Sequence, residues 1–293
     1  MRRTLKAAGL RARRSMSQNF LVDVDVLEAI LDEARPGPGR TVLEIGPGLG
    51  VLTGALLDAG AAVVAVELDP GMVAFLRERL APAIEIGRAP EAPGGLRLAH
   101  GDALDLDLRA LAGADFDVVA NIPYHVTSPI LHRLLESPPR PGRIVLMVQR
   151  EVAERIAAAP GALSYLAVFC QYHARVRLAR VVPPTAFEPE PAVDSAIVVL
   201  EPYAAGDEDA PPRVADDEED DLWRLVQAGF RERRKMLHNV LRRQLPAVAA
   251  RVPDALAATG IDGERRPQTL AVHEWVALLG AIGPLPRMGG GGR

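Results

Sequence analysis

A strand-length apolar run that leads into closely spaced glycines is the feature that most constrains how this chain folds. The residues from Thr41 to Ile45 are long enough for one buried strand, and Gly46, Gly48 and Gly50 follow as a helical pattern starts near Leu49. A turn built from glycines lets a ligand approach the backbone closely, because no side chain projects from it. The segment therefore predicts a strand, a glycine turn and a helix, with a ligand bound at the turn.

Strand and helix patterns alternate over the first 200 residues, which predicts an α/β fold with a parallel sheet covered by helices on both faces. The other predicted strands are Ala62 to Glu67, Leu96 to His100, Asp117 to Ala120, Arg143 to Gln149, Arg177 to Val182 and Ser195 to Glu201. The predicted helices among them are Val24 to Ala34, Leu49 to Ala59, Met72 to Leu80, Ser128 to Glu136 and Glu151 to Ala158. After Pro202 only helical patterns occur, at Leu222 to Phe230, Arg233 to Arg243, Pro253 to Ala258 and Val272 to Ile282.

These patterns divide the chain into five segments. With 293 residues it has room for one catalytic domain and a smaller companion. We predict a basic amino-terminal arm (1–16), an α/β domain (17–203), an acidic linker (204–221), a small helical domain (222–288) and a flexible glycine-rich tail (289–293).

Charge is unevenly distributed along the chain. The net charge of −4 argues, as a bulk figure, against a nucleic-acid-binding protein. However, residues 1–20 carry six basic side chains and no acid, residues 231–243 carry six more, and residues 207–221 carry nine acids. Charges more than about 10 Å apart are largely screened at moderate salt, so the acidic run does not cancel the basic segments in space. The sequence is therefore compatible with binding to RNA.

Several classes of protein are disfavoured. Cys170 is the single cysteine, so a disulfide-stapled domain is excluded and a reducing compartment fits. No apolar run reaches the roughly 18 residues of a membrane span, and the histidines lack metal-ligand spacing, so neither a membrane partner nor a metal site is predicted. The basic amino terminus could also be an organelle transit peptide. Because recognisable structure resumes by Ser17, we expect a cytoplasmic protein.

The ligand of the glycine turn is narrowed by two carboxylates. Glu67 ends the second strand 21 residues after Gly46, where a carboxylate can accept both hydroxyls of an adenosine ribose. That geometry serves a nicotinamide dinucleotide and S-adenosylmethionine equally. The spacing Gly-x-Gly-x-Gly, rather than Gly-x-Gly-x-x-Gly, and the presence of Glu44 before the turn favour S-adenosylmethionine.

The segment Asn121-Ile122-Pro123-Tyr124, directly after a predicted strand, points to the reaction. The amino group of a nucleobase is a poor nucleophile, because its lone pair is delocalised into the ring. The side-chain oxygen of Asn121 and the backbone carbonyl of Ile122 can accept both amino hydrogens and so favour a tetrahedral nitrogen. Pro123 fixes the backbone that aims the carbonyl, and Tyr124 offers a face for an extruded base.

Together these motifs resemble the KsgA (RsmA) family of ribosomal RNA adenine dimethyltransferases over about Ser17 to Ile282. Five further segments carry the resemblance: Gln18 to Leu21, Gly101 to Leu104, Gln149 to Ala153, Phe187 to Ser195 and Phe230 to Lys235. The resemblance implies a Rossmann-like, S-adenosylmethionine-dependent methyltransferase sheet with a small carboxy-terminal helical domain. It implies dimethylation of N6 of two adjacent adenines in the 3′-terminal hairpin of 16S rRNA, within the small ribosomal subunit or its precursor, by a monomer that also has a role in small-subunit maturation.

The family also implies roles for individual residues. By the resemblance, the cofactor-binding residues are Asn19, Leu21, Gly46, Gly48, Glu67, Asp102 and Asn121, with Asp102 taking the adenine amino group. Phe187, in the proline-rich loop, is a candidate for stacking on the flipped adenine opposite Tyr124.

The two basic segments are candidates for contacts to RNA phosphates. Arg231, Arg234 and Lys235 have the spacing i, i+3 and i+4, so on the predicted helix they share one face, and Arg242 returns close to it. Arg11, Arg13 and Arg14 of the amino-terminal arm are the other candidates. Such contacts set position and affinity without reading sequence.

Three alternatives remain open. An Erm-type methyltransferase, which modifies one adenine of large-subunit rRNA and confers macrolide resistance, shares the glycine turn and the motif at Asn121; the longer helical tail with Phe230 to Asn239 favours KsgA. A nicotinamide dehydrogenase would use Gly46 to Gly50 and Glu67 but leave Asn121 to Tyr124 without a role. An intact Asn121 and Tyr124 disfavour a non-catalytic assembly factor that only docks on the ribosomal subunit.

Overall fold

The computed structural model describes residues 19–89, 92–122 and 126–286. These residues form two compact units. The first, here called the sheet unit, contains the described residues up to Glu154 together with Ala174–Tyr203. The second, the helical unit, contains Arg155–His173 together with the described residues from Ala204 onward.

The sheet unit is built on seven strands in the order β4-β3-β2-β5-β6-β9-β7. Neighbouring strands from β4 through β3, β2 and β5 to β6 are parallel, and β9 runs antiparallel to both β6 and β7. A separate antiparallel pair joins β1 to β8. The strand bounds are β1 Phe20–Leu21, β2 Thr41–Ile45, β3 Ala62–Glu67, β4 Leu96–His100, β5 Asp117–Asn121, β6 Ile144–Gln149, β7 Ala174–Val182, β8 Phe187–Glu188 and β9 Ser195–Pro202.

The predicted α/β class is confirmed, but the sheet is mixed rather than wholly parallel. Parallel neighbours need a crossover of a dozen or more residues, usually with a helix. Between Val182 and Ser195 the chain has only a single turn of 3-10 helix and the short strand β8. The last strand therefore returns antiparallel. Residues of β2 and β3 are buried along their whole length, as their mainly apolar sequences indicate.

Three helices of the sheet unit begin at aspartate caps. The side chains of Asp23, Asp69 and Asp107 accept hydrogen bonds from backbone N–H groups in the first turns of α1, α3 and α5. The helix bounds are α1 Val24–Ala34, α2 Val51–Asp58, α3 Pro70–Arg79, α4 Ala81–Ile86, α5 Leu108–Ala112, α6 Thr127–Leu135 and α7 Arg150–Ile156, which runs into the second unit.

The helical unit packs five helices around a core centred on Trp275, whose side chain is fully buried. Gly229 lies where an added Cβ would come within 2.5 Å of the Trp275 ring, so glycine is needed for this close approach. The helix bounds are α8 Tyr165–His173, α9 Glu219–Phe230, α10 Leu237–Gln244, α11 Val252–Thr259 and α12 Val272–Ile282.

The division into units differs from the predicted domains in one stretch. The prediction assigned all of 17–203 to the α/β domain, whereas Arg155–His173 belongs to the helical unit. Leu163, Val168 and Tyr172 are buried in the same core as Trp275, and the Leu163 N–H donates to the carbonyl of Gln268. These apolar residues cover helices that lie much later in the chain, which a local sequence pattern does not reveal.

The predicted acidic linker (204–221) is also partly structured. Residues Asp216–Glu218 form a turn of 3-10 helix, and α9 begins at Glu219 rather than at Leu222. Acidic residues are favourable in the first turn of a helix, because they face the positive end of its dipole. The carboxy-terminal part of the acidic run therefore starts a helix.

The predicted helix over Arg233 to Arg243 is wrong at its start. Residues 231–235 form a turn, here called the basic turn, and α10 begins only at Leu237. The N–H groups of Leu237 and His238 donate to the carbonyls of Arg265 and Gly263 instead of continuing a helix backwards. Arg231, Arg234 and Lys235 therefore do not share one helix face.

Candidate functional site

A cavity of about 360 Å³ opens at the carboxyl ends of four adjacent parallel strands of the sheet unit, β4, β3, β2 and β5. Ligands of open α/β sheets bind at this edge. The described residues that the sequence predicted for the cofactor or for catalysis all line it: Asn19, Leu21, Gly46, Gly48, Glu67, Asp102, Asn121, Ile122 and Phe187. Pro123, Tyr124, Arg11, Arg13 and Arg14 lie outside the described residues.

The glycine turn requires glycine at two positions that line the cavity. Gly46 and Gly48 have φ angles of 72° and 55°, in the left-handed region that side chains with a Cβ rarely adopt. A Cβ at Gly48 would also stand 3.2 Å from the ring of Phe20, which covers the turn from β1. The Gly46 N–H donates to the carbonyl of Val66 at 2.9 Å. The turn is thus held against β3 with its backbone open to the cavity.

Glu67, the last residue of β3, presents a buried carboxylate held by backbone donors. Its Oε1 accepts from the N–H of Asp69 at 2.8 Å and its Oε2 from the N–H of Gly48 at 3.1 Å. Burial raises the pKa of Glu67, and these two hydrogen bonds oppose the shift. Each carboxylate oxygen has a further lone pair, so a carboxylate fixed in this way can still accept a pair of hydroxyl groups.

Asp102 follows β4 in a compact turn at the same edge. Its Oδ1 accepts from the N–H of Leu104 at 2.8 Å, and its backbone carbonyl accepts from the N–H groups of Asp105 and Leu106. The side chain is partly buried. This turn holds a carboxylate at the wall of the cavity, where it can accept from an amino group.

Asn121 ends β5, and its amide is oriented by a second segment of the site. The Nδ2 group donates to the carbonyl of Asn19 at 3.4 Å, which leaves Oδ1 as the acceptor. Ile122 is buried, and its N–H donates to the carbonyl of Met147 in the neighbouring strand at 3.2 Å. Two acceptors, the Asn121 oxygen and the Ile122 carbonyl, therefore belong to consecutive residues at the end of β5, and both residues line the cavity.

Phe187 lines the cavity but is only 4% exposed. It pairs with Leu21 across the short β1·β8 ribbon and lies in the apolar core with Val182 and Ile197. Its side chain therefore supports the cavity wall and the core together. The stacking role on a flipped base stays a prediction.

The sequence analysis noted Glu44 as a motif residue without assigning it a place in the site. In the structure it lines the cavity, is 1% exposed, and its Oε2 has no hydrogen-bond partner among the described residues. Burial raises its pKa to about 8, and the nearby charge of Glu67 adds to the shift. A carboxyl inside an otherwise apolar strand was the available signal.

In the helical unit, the basic turn is braced by a small side-chain network. The Arg231 guanidinium donates to Oε1 of Gln244 at 3.1 Å, and the Gln244 amide donates to Glu232 at 2.8 Å. Glu232 also forms an ion pair with Arg243 at 2.7 Å. Arg234 and Lys235 are exposed and have no ion-pair partner within 19–89, 92–122 and 126–286, and Arg242 is exposed on α10.

Among the described residues, no cluster of three histidine, cysteine or acidic side chains could hold a metal ion. No helix in the same part of the chain is long and apolar enough to cross a bilayer.

Comparison with known proteins gives concordant results. The profile of the family described as Ribosomal RNA adenine dimethylase matches residues 9–279. The Ribosomal RNA small subunit methyltransferase A of Sphingopyxis alaskensis is 44% identical over 291 residues, covering 97% of this chain and 98% of that protein. A dimethyladenosine transferase from Plasmodium falciparum has a crystal structure similar to this one, with a TM-score of 0.70 and 25% identity, over 89% of this chain and 96% of that chain. The 23S rRNA methyltransferase ErmE gives a TM-score of 0.69 at 27% identity, over 90% and 99% respectively.

Proposed function

Because this chain belongs to the ribosomal RNA adenine dimethylase family, we propose that it transfers methyl groups from S-adenosylmethionine to N6 of two adjacent adenines in the 3′-terminal hairpin of 16S rRNA. The partner is the small ribosomal subunit or its precursor. The protein acts as a monomer in the cytoplasm, where it contributes to maturation of the subunit.

The observation that carries the proposal is the convergence of acceptors and glycines on one cavity. Gly46, Gly48, Glu67, Asp102 and Asn121 come from four different strand ends and line the same space. The open backbone of the glycine turn and the carboxylates of Glu67 and Asp102 suit a cationic, hydroxyl-bearing nucleoside cofactor. These residues fit S-adenosylmethionine, which supplies a methyl group bonded to a positively charged sulfur.

Each residue has a definite task in this proposal. The Glu67 carboxylate accepts from ribose hydroxyls, and the Asp102 carboxylate accepts from the adenine amino group of the cofactor. The Asn121 oxygen and the Ile122 carbonyl accept hydrogen bonds from the two N–H groups of the target N6 amino group. Holding the amine in this way localises its lone pair and aims it, and N6 releases one proton to water for each methyl group that it receives. Catalysis therefore comes from orientation and preorganised acceptors rather than from a strong base.

The choice of the small subunit is supported by sequence rather than by shape. The structures of the Plasmodium falciparum enzyme and of ErmE match this chain with nearly equal TM-scores. Identity is 44% to the small subunit methyltransferase A and 27% to ErmE. The helical unit with the basic turn supplies exposed arginines for contacts to rRNA phosphates, which add affinity without reading sequence.

Mass spectrometry of rRNA fragments tests the proposal. Fragments of small-subunit and large-subunit rRNA are compared between a strain lacking this protein, the same strain complemented with it, and the strain complemented with Asn121→Ala. We expect two adjacent dimethyladenines near the 3′ end of small-subunit rRNA only with the intact protein. A methylation difference confined to large-subunit rRNA would instead assign the chain to the Erm type.

A further inference from the structure

Two arginines connect the Asp102 turn to helix α6. From α6, the Arg133 guanidinium donates through Nη1 to the carbonyl of Leu104 and through Nη2 to the carbonyl of Leu106 at 2.6 Å. Both carbonyls belong to the turn at residues 101–107. One planar, two-pronged donor therefore holds two points of this turn.

Arg109 makes the reciprocal connection. It lies in α5, directly after the turn, and its Nη2 donates to the carbonyls of Arg133 at 2.7 Å and Ser137 at 2.6 Å. Its Nε donates to the carbonyl of Pro139 at 3.0 Å. Each arginine thus starts on one segment and ends on carbonyls of the other, and we call the pair the arginine clamp.

The carbonyls held by the clamp belong to the residues that fix Asp102. The Leu104 N–H donates to Oδ1 of Asp102 at 2.8 Å, and the Leu106 N–H donates to its backbone carbonyl at 2.9 Å. The N–H groups of Leu104 and Leu106 therefore bond to Asp102, while their carbonyl groups accept from Arg133. Any movement of Leu104 or Leu106 changes where the Asp102 carboxylate points.

The other end of the clamp lies on α6, the helix whose start borders the cavity. Helix α6 follows Asn121 and Ile122 along the chain, and two residues at its start, Val126 and Ile130, line the same cavity as Asp102. The clamp thus joins the turn that carries Asp102 to the carboxy-terminal part of α6, whose first turn borders the same cavity.

Charge indicates that the clamp serves to hold backbone rather than to neutralise acids. In the described part of the chain, neither Arg109 nor Arg133 forms an ion pair with a carboxylate, whereas together they donate to five backbone carbonyls. Burial lowers the pKa of Arg109, and the neighbouring positive charge of Arg133 lowers it further. Two like charges are held together here at a cost that the carbonyl dipoles offset.

We propose that Arg133 and Arg109 are positioning residues that preorganise Asp102 for the adenine end of the cofactor. The inference rests on the function proposed above. Without the clamp, the 101–107 turn must be ordered when the cofactor binds, and that ordering weakens binding. The effect should fall on affinity for the cofactor more than on the turnover rate of the saturated enzyme.

The test compares Arg133→Met with Arg140→Met as the matched control. The hydrogen bond from Nε of Arg140 also ends on a backbone carbonyl, but this is the carbonyl of Leu135 at the end of α6 and not one of the turn at residues 101–107. We expect Arg133→Met to raise the calorimetric Kd and the KM for S-adenosylmethionine about tenfold or more, with kcat within about threefold of wild type. Arg140→Met should stay within about twofold in all three. Arg133→Lys, with one ammonium for two carbonyls, should recover part of the affinity.

A double-mutant cycle separates positioning from a general loss of structure. If Arg133 acts through Asp102, Arg133→Met should weaken cofactor binding by no more than about twofold when Asp102→Ala is already present. Full multiplication of the two effects would overturn the inference. So would a fall in kcat with unchanged KM and Kd.

The outcomes also separate this inference from the proposed function. A wild-type protein that binds S-adenosylmethionine, with Arg133→Met and Arg109→Met both equal to the Arg140 control, overturns the clamp and leaves the function standing. A wild-type protein that does not bind S-adenosylmethionine overturns both. Should Arg133→Met fail to fold, Arg133→Lys and Arg109→Met decide the question by the same KM-against-kcat comparison.

Discussion

The cavity of the sheet unit and the basic turn of the helical unit hold their polar groups in opposite ways. In the cavity, Glu44 and Glu67 are buried, and backbone donors fix the carboxylate of Glu67. At the basic turn, Arg234 and Lys235 are exposed to solvent, and only a few side-chain bonds brace the backbone beneath them. A buried, preorganised group makes a large and specific contribution, whereas an exposed charge is screened by salt. Substitutions in the two regions should therefore differ in size and in salt dependence.

The largest effect is expected at Asn121 of the cavity. Asn121→Ala removes the oxygen that accepts from the target amine, so methyl transfer to rRNA should fall at least about 10³-fold. The Kd of S-adenosylmethionine should change far less. Single-turnover transfer measured alongside calorimetry checks both. Transfer within a fewfold of wild type would refute the role given to Asn121.

A second large effect concerns the buried carboxyl of Glu44. Its pKa of about 8 in the folded protein lies above its ordinary value of 4.5, so between these values the folded chain binds more protons than the unfolded chain. The stability contributed at low pH is therefore lost as pH rises from about 4.5 to about 8. We expect the free energy of unfolding of Glu44→Gln not to show this loss. At pH 8.5 it should be higher than that of the wild type by a few kcal/mol. Urea unfolding at pH 5, 7 and 8.5 measures it; parallel curves for the two proteins would show that Glu44 is not responsible.

Substitution of the buried Glu67 should weaken binding of S-adenosylmethionine. Glu67→Ala removes acceptors for ribose hydroxyls and also frees the N–H of Gly48, so the Kd of S-adenosylmethionine should rise about 10- to 150-fold. Asp102→Ala should weaken binding by a factor at the lower end of that range. Glu85→Ala, at an exposed ion pair with Arg88, is the control and should leave binding unchanged. Calorimetry should detect no NAD binding, and tight NAD binding without S-adenosylmethionine binding would reject the cofactor assignment.

The smallest effect, and the one most sensitive to salt, is expected at the basic turn. Replacing Arg234 and Lys235 by glutamate should weaken binding to the small subunit and lower the slope of log K against log salt, by up to about 0.9 for each rRNA phosphate that is no longer neutralised. Cofactor binding should be unaffected, because the cavity belongs to the other unit. Arg77→Glu with Arg88→Glu makes the same charge change in the sheet unit and controls for net charge. An unchanged salt slope in the basic-turn variant would leave Arg11, Arg13 and Arg14 as the main candidates.

Features that depend on local backbone rules could be predicted from the sequence. The bounds of α1, β2, β3 and β4 and the family resemblance are confirmed, and the S-adenosylmethionine assignment agrees with the family. Neighbouring parallel strands end at one edge of the sheet, which explains why residues at the ends of β2, β3, β4 and β5 line one cavity. Asn19, Leu21 and Asp102 were named through the family resemblance. The roles of these residues remain predictions until the substitutions are made.

Features that depend on packing between distant segments could not be predicted from the sequence. The helix expected from Arg233 starts at Leu237, because the N–H groups of Leu237 and His238 bond to carbonyls about 25 residues away. Arg155–His173 joins the helical unit because its apolar face covers Trp275. The clamp residues Arg109 and Arg133 carried no motif and were not singled out.

By itself, then, the sequence determined the strand–glycine–helix unit, the order of the sheet-edge residues and the chemistry they support. The periodicity of apolar residues, the turn residues and the type of each side chain act over a few positions, so they can be recognised in the sequence. Only the tertiary structure decided that Glu44 is buried, with one carboxyl oxygen unpartnered within the described ranges, that the basic residues lie on a turn, and that two arginines hold the Asp102 turn. Burial and hydrogen bonding to distant carbonyls depend on which segments pack together, and that is a property of the folded chain as a whole.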